Sequence, residues 1–192
     1  MAKLKIGVLA VQGAFIEHIN VLTKLGAECV ELRQRRDAEQ ELDGLVLPGG
    51  ESTAQGKMLR DLDMFDILRQ KIKDGLPVLG TCAGMILLAE KLSNDEKIHF
   101  GTMPITVRRN AYGRQLGSFR TYAECGSAGR IPMTFIRAPY IESAGEGVEV
   151  LARVDGQIVA ARYGKQLALA FHPELDIEES TALHEYFLDM CR

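Results

Sequence analysis

Residues 78–92 read Val78-Leu79-Gly80-Thr81-Cys82-Ala83-Gly84-Met85-Ile86-Leu87-Leu88-Ala89-Glu90-Lys91-Leu92. The block 78–80 fits a short buried strand, and 83–92 predicts a strongly apolar helix. Between them lies Gly80-Thr81-Cys82-Ala83-Gly84, a G-x-nucleophile-x-G elbow with cysteine at the reactive position. Such a turn holds its central residue in a strained backbone conformation that small neighbours permit. The start of the helix beyond it stabilises a thiolate and offers free N–H groups. The blander alternative is a small-residue turn around a buried structural cysteine, because free cysteine is among the most buried residue types.

Upstream, strand and helix alternate. The apolar run 5–11 fits a buried strand, Phe15, Ile19 and Leu22 recur at helical spacing, and Gly26 closes that helix. Residues 29–32 and 44–47 predict two more strands, the second ended by Pro48-Gly49-Gly50. Met58, Leu59, Leu62, Phe65, Ile67 and Leu68 predict a helical pair, broken by Gly75-Leu76-Pro77. This alternation implies right-handed βαβ units and a mostly parallel central sheet. Downstream, 105–108, 118–124, 134–137, 148–154, 158–162 and 167–171 read as strands. Glycine-bearing separators (Ala111-Tyr112-Gly113, Cys125-Gly126-Ser127, Asp155-Gly156) make them added antiparallel strands and hairpins. An amphipathic helix over 180–190 follows. No linker divides the halves, so one α/β domain over residues 1–192 is expected.

Composition narrows the function. With 192 residues, 46% of them hydrophobic and 26% charged, the chain is an ordinary globular protein able to bury one full core. No apolar run reaches eighteen residues, so no membrane span is expected. The opening MAKLKIGVLAVQG lacks an A-x-A site and suits a first strand better than a signal peptide. A net charge of −3 argues against a nucleic-acid surface. The four cysteines, Cys29, Cys82, Cys125 and Cys191, form no C-x-x-C pair, so neither zinc nor any other metal site is expected. They fit a reducing, cytoplasmic protein in which at most one thiol does chemistry. Neither G-x-G-x-x-G nor G-x-x-x-x-G-K-[ST] occurs at a glycine turn, and no cofactor is expected.

Two further motifs join the elbow. In Phe171-His172-Pro173-Glu174, residues two apart in extended chain point to one side, so Glu174 can orient the His172 ring. That supplies base and orienter for a Cys-His-acid triad. His18, His99 and His184 have no such company and read as surface or capping residues. In Leu47-Pro48-Gly49-Gly50-Glu51-Ser52-Thr53, a Gly-Gly turn follows a parallel strand at the sheet's carboxyl edge, where open α/β sheets bind ligands. One N–H there and that of Ala83 make a two-donor oxyanion hole. The plainer alternative is a turn followed by a helix cap.

PGGEST, GTCAG and FHPE together resemble a class I, triad-type glutamine amidotransferase. VQGAFIEH, RRNAYGRQ with SF close behind, and FIRAP resemble one family within it, the glutaminase subunit of the ribose-5-phosphate-dependent pyridoxal 5′-phosphate synthase. The likeness spans about residues 6–187. It implies a three-layer, flavodoxin-like fold and hydrolysis of L-glutamine to glutamate and ammonia. It implies Cys82 as nucleophile, His172 as base and Glu174 as its orienter. It implies Gly49, Gly50, Glu51, Arg109, Ile136 and Arg137 as glutamine contacts, and Gly50 and Ala83 as oxyanion-hole residues. Gln12 is implicated in activation by the partner, a separate TIM-barrel synthase subunit to which the ammonia passes. Pro104, Arg120 and Ala54 depart from the family pattern, none at a triad position. The alternatives are a glutaminase serving another synthase, a cysteine hydrolase on a similar elbow, and a catalytically silent regulatory subunit. A solvated basic patch or a phosphate site is the plain alternative for Arg108, Arg109 and Arg114.

Overall fold

The computed structural model describes residues 3–110 and 118–192. The separator Ala111-Tyr112-Gly113 and most of RRNAYGRQ, Arg114 included, lie outside the described residues. The first half is β1 (Lys5–Leu9), α1 (Phe15–Lys24), β2 (Glu28–Leu32), α2 (Arg35–Ala38), β3 (Gly44–Leu47), α3 (Ser52–Asp61), α4 (Phe65–Lys73), β4 (Val78–Thr81) and α5 (Ala83–Leu88). The second half is β5 (Ala89–Leu92), β6 (Met103–Arg108), β7 (Ser118–Glu124), β8 (Arg130–Ile136), β9 (Tyr140–Ala144), β10 (Glu149–Val154), β11 (Gln157–Tyr163), β12 (Gln166–Leu169) and α6 (Ala182–Met190).

Among the described residues one large sheet runs in the order β2-β1-β3-β4-β12-β11-β9-β6-β5, with β10 beside β11. β2, β1, β3, β4 and β12 are parallel neighbours, and β11 and β9 join antiparallel to extend the sheet. A separate hairpin pairs β7 with β8. The 2-1-3-4-12 core is the flavodoxin-like winding, which turns back at β1. Right-handed crossovers from β1 to β2 and from β3 to β4 run in opposite directions, so α1 and α3–α4 cover opposite faces. The core strands β3, β4 and β12 are buried along their whole length, as expected of strands covered on both faces.

Three expectations are corrected. The helix over 83–92 ends at Leu88, where Ala89 turns extended and residues 89–92 become β5, paired in parallel with β6. No glycine or proline separates Ala89-Glu90-Lys91-Leu92 from the apolar run before it, so the sequence marks no boundary there, and the open edge of β6 decides it. The strand read over 167–171 is not an antiparallel addition. As β12 it pairs in parallel with β4 at the sheet's centre, with Leu169 opposite Thr81. β9 follows Pro139 closely, where no strand was anticipated.

The outcome for function is geometric. β1, β3, β4 and β12 are consecutive, and their carboxyl ends lead into Gln12, Pro48-Gly49-Gly50, Cys82 and His172 respectively. Four motifs scattered over 160 positions of sequence therefore meet at one edge.

Candidate active site

Cys82 stands between β4 and α5 with φ 50° and ψ −101°, a conformation L-residues avoid. Two glycines allow it. A Cβ on Gly84 would lie 1.9 Å from the Leu47 carbonyl oxygen, and one on Gly80 would lie 2.8 Å from the Gly84 backbone. The start of α5 is thus pressed against the end of β3, and Cys82 sits at the top of that contact. Its N–H is held by the Leu169 carbonyl at 2.7 Å, fastening the elbow to β12. The Ala83 N–H belongs to the first turn of α5, where helical N–H groups lack intrahelical acceptors.

His172 follows β12. Its Nδ1 lies 2.7 Å from Glu174 Oε1, and its side chain is hydrogen-bonded to Cys82. Burial alone would lower the His172 pKa, but the bonds to Cys82 and Glu174 outweigh it and push it up to about 10. An imidazolium beside a thiolate is the resting form of an activated cysteine. Glu174 is buried, and burial alone would raise its pKa. The neighbouring His18 and the bond from His172 overcome that and hold the carboxyl below its usual range. A carboxylate only accepts hydrogen bonds, so His172 presents Nδ1–H to Glu174 and leaves Nε2 for the thiol.

The Gly-Gly turn packs on this pair. A Cβ on Gly49 would lie 2.4 Å from the His172 ring, and one on Gly50 would lie 2.3 Å from Gln12 Oε1. Neither position has room for a side chain. The turn is tied on both sides of Gly50. The Ala14 N–H donates to the Gly49 carbonyl at 3.0 Å, and the Glu51 N–H donates to Gln12 Oε1 at 2.8 Å. Glu51 caps α3, accepting from Thr53 N at 3.1 Å and Ala54 N at 2.6 Å. Arg109 reaches Glu51 at 3.1 Å and Asp95 at 2.6 Å. Burial opposes the shift, but the cap bonds and Arg109 hold the Glu51 carboxyl low.

These residues open on a cleft of about 550 Å³. It is lined by Gln12, Gly49, Gly50, Glu51, Cys82, Arg109, Ile136, Arg137 and His172, all anticipated. Glu174 and Ala83 are not among the lining residues and sit behind this wall. The volume suits a small metabolite.

The sequence model of the SNO glutamine amidotransferase family matches residues 8–192. The chain belongs to that family. It is 62% identical over 186 residues to pyridoxal 5′-phosphate synthase subunit PdxT of Desulfitobacterium hafniense strain Y51, covering 97% of this chain and 92% of the relative. It is 57% identical over 192 residues to the PdxT subunit of Streptococcus pneumoniae ATCC 700669, covering 98% of each. A crystal structure described as a glutamine amidotransferase superposes with a TM-score of 0.90 at 44% identity, over 97% of this chain and 98% of that one.

The amidotransferase cleft is also lined by residues to which sequence reasoning gave no role: Gly13, Ala14, Ser52, Ile86, Asn110 and Pro139. All but Ile86 lie inside the quoted motifs VQGAFIEH, PGGEST, RRNAYGRQ and FIRAP, and Ile86 stands two residues past GTCAG, so proximity was the available signal. Three histidines require correction. His18, His99 and His184 are not surface or capping residues; their exposures are 0%, 5% and 0%. His18 and His184 sit on the inner faces of α1 and α6, and His99 fills the space left by Gly56. Period alone does not say that a polar residue on a buried helical face has a polar partner waiting.

Proposed function

We propose that this amidotransferase hydrolyses L-glutamine through Cys82, His172 and Glu174, and passes the ammonia to a separate pyridoxal 5′-phosphate synthase subunit. The observation that carries this reading is the buried Cys82–His172–Glu174 chain opening on a metabolite-sized cleft, in a family whose close relatives are PdxT subunits. The Cys82 thiolate attacks the side-chain amide carbon of glutamine. The oxyanion accepts from the N–H groups of Gly50 and Ala83. His172 gives its proton to the departing nitrogen, ammonia leaves, and a thioester remains. Water, deprotonated by His172, attacks the thioester; glutamate departs and the thiol is restored. Arg109, Arg137 and Glu51 line the cleft as glutamine contacts, Arg109 and Glu51 as a preformed ion pair at 3.1 Å. The partner joins the ammonia to ribose 5-phosphate and glyceraldehyde 3-phosphate. The setting is the cytoplasm, in keeping with four free thiols. Among the described residues no helix is long and apolar enough to cross a membrane.

Control is assigned to Gln12, whose side chain grips the Glu51 N–H beside the oxyanion turn. The test is glutamate release with and without the synthase subunit. The synthase is expected to raise the rate well over tenfold, since one misdirected oxyanion donor costs roughly 10²–10³ in rate. Gln12→Ala should lose more of that stimulation than of complex formation. An isolated chain already as fast as the complex overturns the control mechanism, and glutamine left unhydrolysed under both conditions overturns the activity.

A further inference from the structure

Behind the triad lies a buried polar chain that the mechanism above does not use. His18 Nε2 is 3.4 Å from Glu174 Oε2 and 3.3 Å from Thr81 Oγ1, and His18 Nδ1 is 3.0 Å from His184 Nε2. His18, Thr81 and His184 are all fully buried. Two imidazoles without access to water are a poor way to fill a core unless their polarity serves a purpose.

The hydrogens in this chain follow from what each atom can do. Glu174 Oε1 already takes the His172 Nδ1–H, whereas its second oxygen is buried without a hydrogen bond, and His18 Nε2, hydrogen-bonded to Thr81 Oγ1, faces it at 3.4 Å. Burial lowers the His18 pKa, so the ring is neutral and its Nδ1 is bare. Nδ1 therefore accepts from His184 Nε2–H. His184, whose pKa burial pushes down to about 3, is then left with a bare Nδ1, the ring atom that has no hydrogen-bond partner. An unpaired acceptor is better tolerated in a core than an unpaired N–H. The chain thus runs toward Glu174: His184 donates to His18, His18 Nε2–H donates to Thr81 Oγ1 with Glu174 Oε2 beside it at 3.4 Å, and His172 donates to Glu174 Oε1.

We propose that His18, itself fixed by His184 and Thr81, is a positioning residue for glutamine hydrolysis: it stands against the far, otherwise unbonded oxygen of Glu174 and thereby sets the orientation of His172. Glu174 lies in the short turn Pro173–Leu175 after β12. His18 comes from α1 and His184 from α6, so two helices clamp an acid that belongs to neither. The contact to Thr81, the residue before the nucleophile, keeps the same ring in register with the elbow.

The inference rests on the reading of Cys82, His172 and Glu174 as the triad. Its test is steady-state glutamate release with the synthase subunit present. His18→Leu should lower kcat roughly tenfold to a hundredfold, the effect of removing one polar contact to a buried charged group, with KM nearly unchanged. His18→Gln, which keeps an N–H near the position of Nε2, should recover most of the loss. Because His18 acts through Glu174, adding His18→Leu to Glu174→Gln should cost little more than Glu174→Gln alone. If the leucine variant does not fold, His18→Asn, whose amide is too short to reach Glu174, replaces it in the same cycle. Unchanged kcat in folded His18→Leu, or losses that multiply in the double variant, overturns the proposal while the triad stands. Activity surviving in Cys82→Ala overturns the triad reading and this inference with it.

Discussion

At the residue scale the four thiols are sharply unequal. Burial pushes Cys125 and Cys191 up to about 12, and burial raises Cys29 against a weaker bond from Thr23. Cys82 alone is hydrogen-bonded to a histidine that prefers its proton. A glutamine-like electrophile should therefore label Cys82 and spare the other three, as peptide mass mapping will read. Even labelling of all four thiols contradicts a tuned Cys82. The base and its orienter are tested together. His172→Asn should cost several orders of magnitude in kcat and Glu174→Gln less, with the double variant little worse than His172→Asn, because a triad acts as a unit. Multiplying losses would mean that the two side chains do separate jobs. Spacing made this trio legible: glycines flank Cys82, and Glu174 stands two residues from His172. Spacing did not reveal His18 and His184, which are 166 positions apart and meet only because α1 and α6 lie on one face.

Among the elements, the contact between α5 and β3 is the most exacting. A Cβ at Gly84 would overlap a backbone carbonyl, which cannot rotate aside. Gly84→Ala should cost about 3 kcal/mol and displace Cys82, so both the urea midpoint and the glutaminase rate should fall. An unchanged midpoint would show that the helix stands further from the strand. The hairpin of β7 and β8 is fastened differently. Arg120 bonds Asp176 at 2.9 Å and also reaches Glu179, which accepts from Tyr122 at 2.7 Å. The departure at position 120 thus ties the hairpin to the segment just after Glu174. The parallel core was legible because its strands are short apolar blocks closed by glycine. β5 was not, since no glycine or proline separates Ala89-Glu90-Lys91-Leu92 from α5, and β9 was not, since polar Glu142 and Ser143 interrupt it.

For the whole molecule, the buried histidines set the response to acid. His99 is lowered to about 4 and His184 to about 3, in each case chiefly by burial, and His18 is lowered as well. Unfolded histidine titrates near 6.5, so between that value and the folded pKa the unfolded chain binds more protons. Stability contributed by keeping these rings neutral is complete above about pH 6.5 and is lost as the pH falls towards 4. Each ring contributes up to about 1.4 kcal/mol per pH unit in that window. Melting temperatures should fall between pH 7 and pH 5, and His99→Leu should flatten the fall without touching the cleft. An equally steep fall in that variant would assign the acid response to other groups.

The place of β12 has a consequence in time. The strand that carries His172 is the last of the sheet to leave the ribosome, yet it occupies the middle, between β4 and β11. Until it inserts, Cys82 has no His172 beside it, no Leu169 carbonyl to fasten its elbow, and an open seam alongside. Long-range parallel pairing of this kind forms slowly. A nascent or half-folded chain therefore cannot release ammonia, and a chaperone that recognises unpaired strand edges would see this seam until the final quarter of the chain closes it.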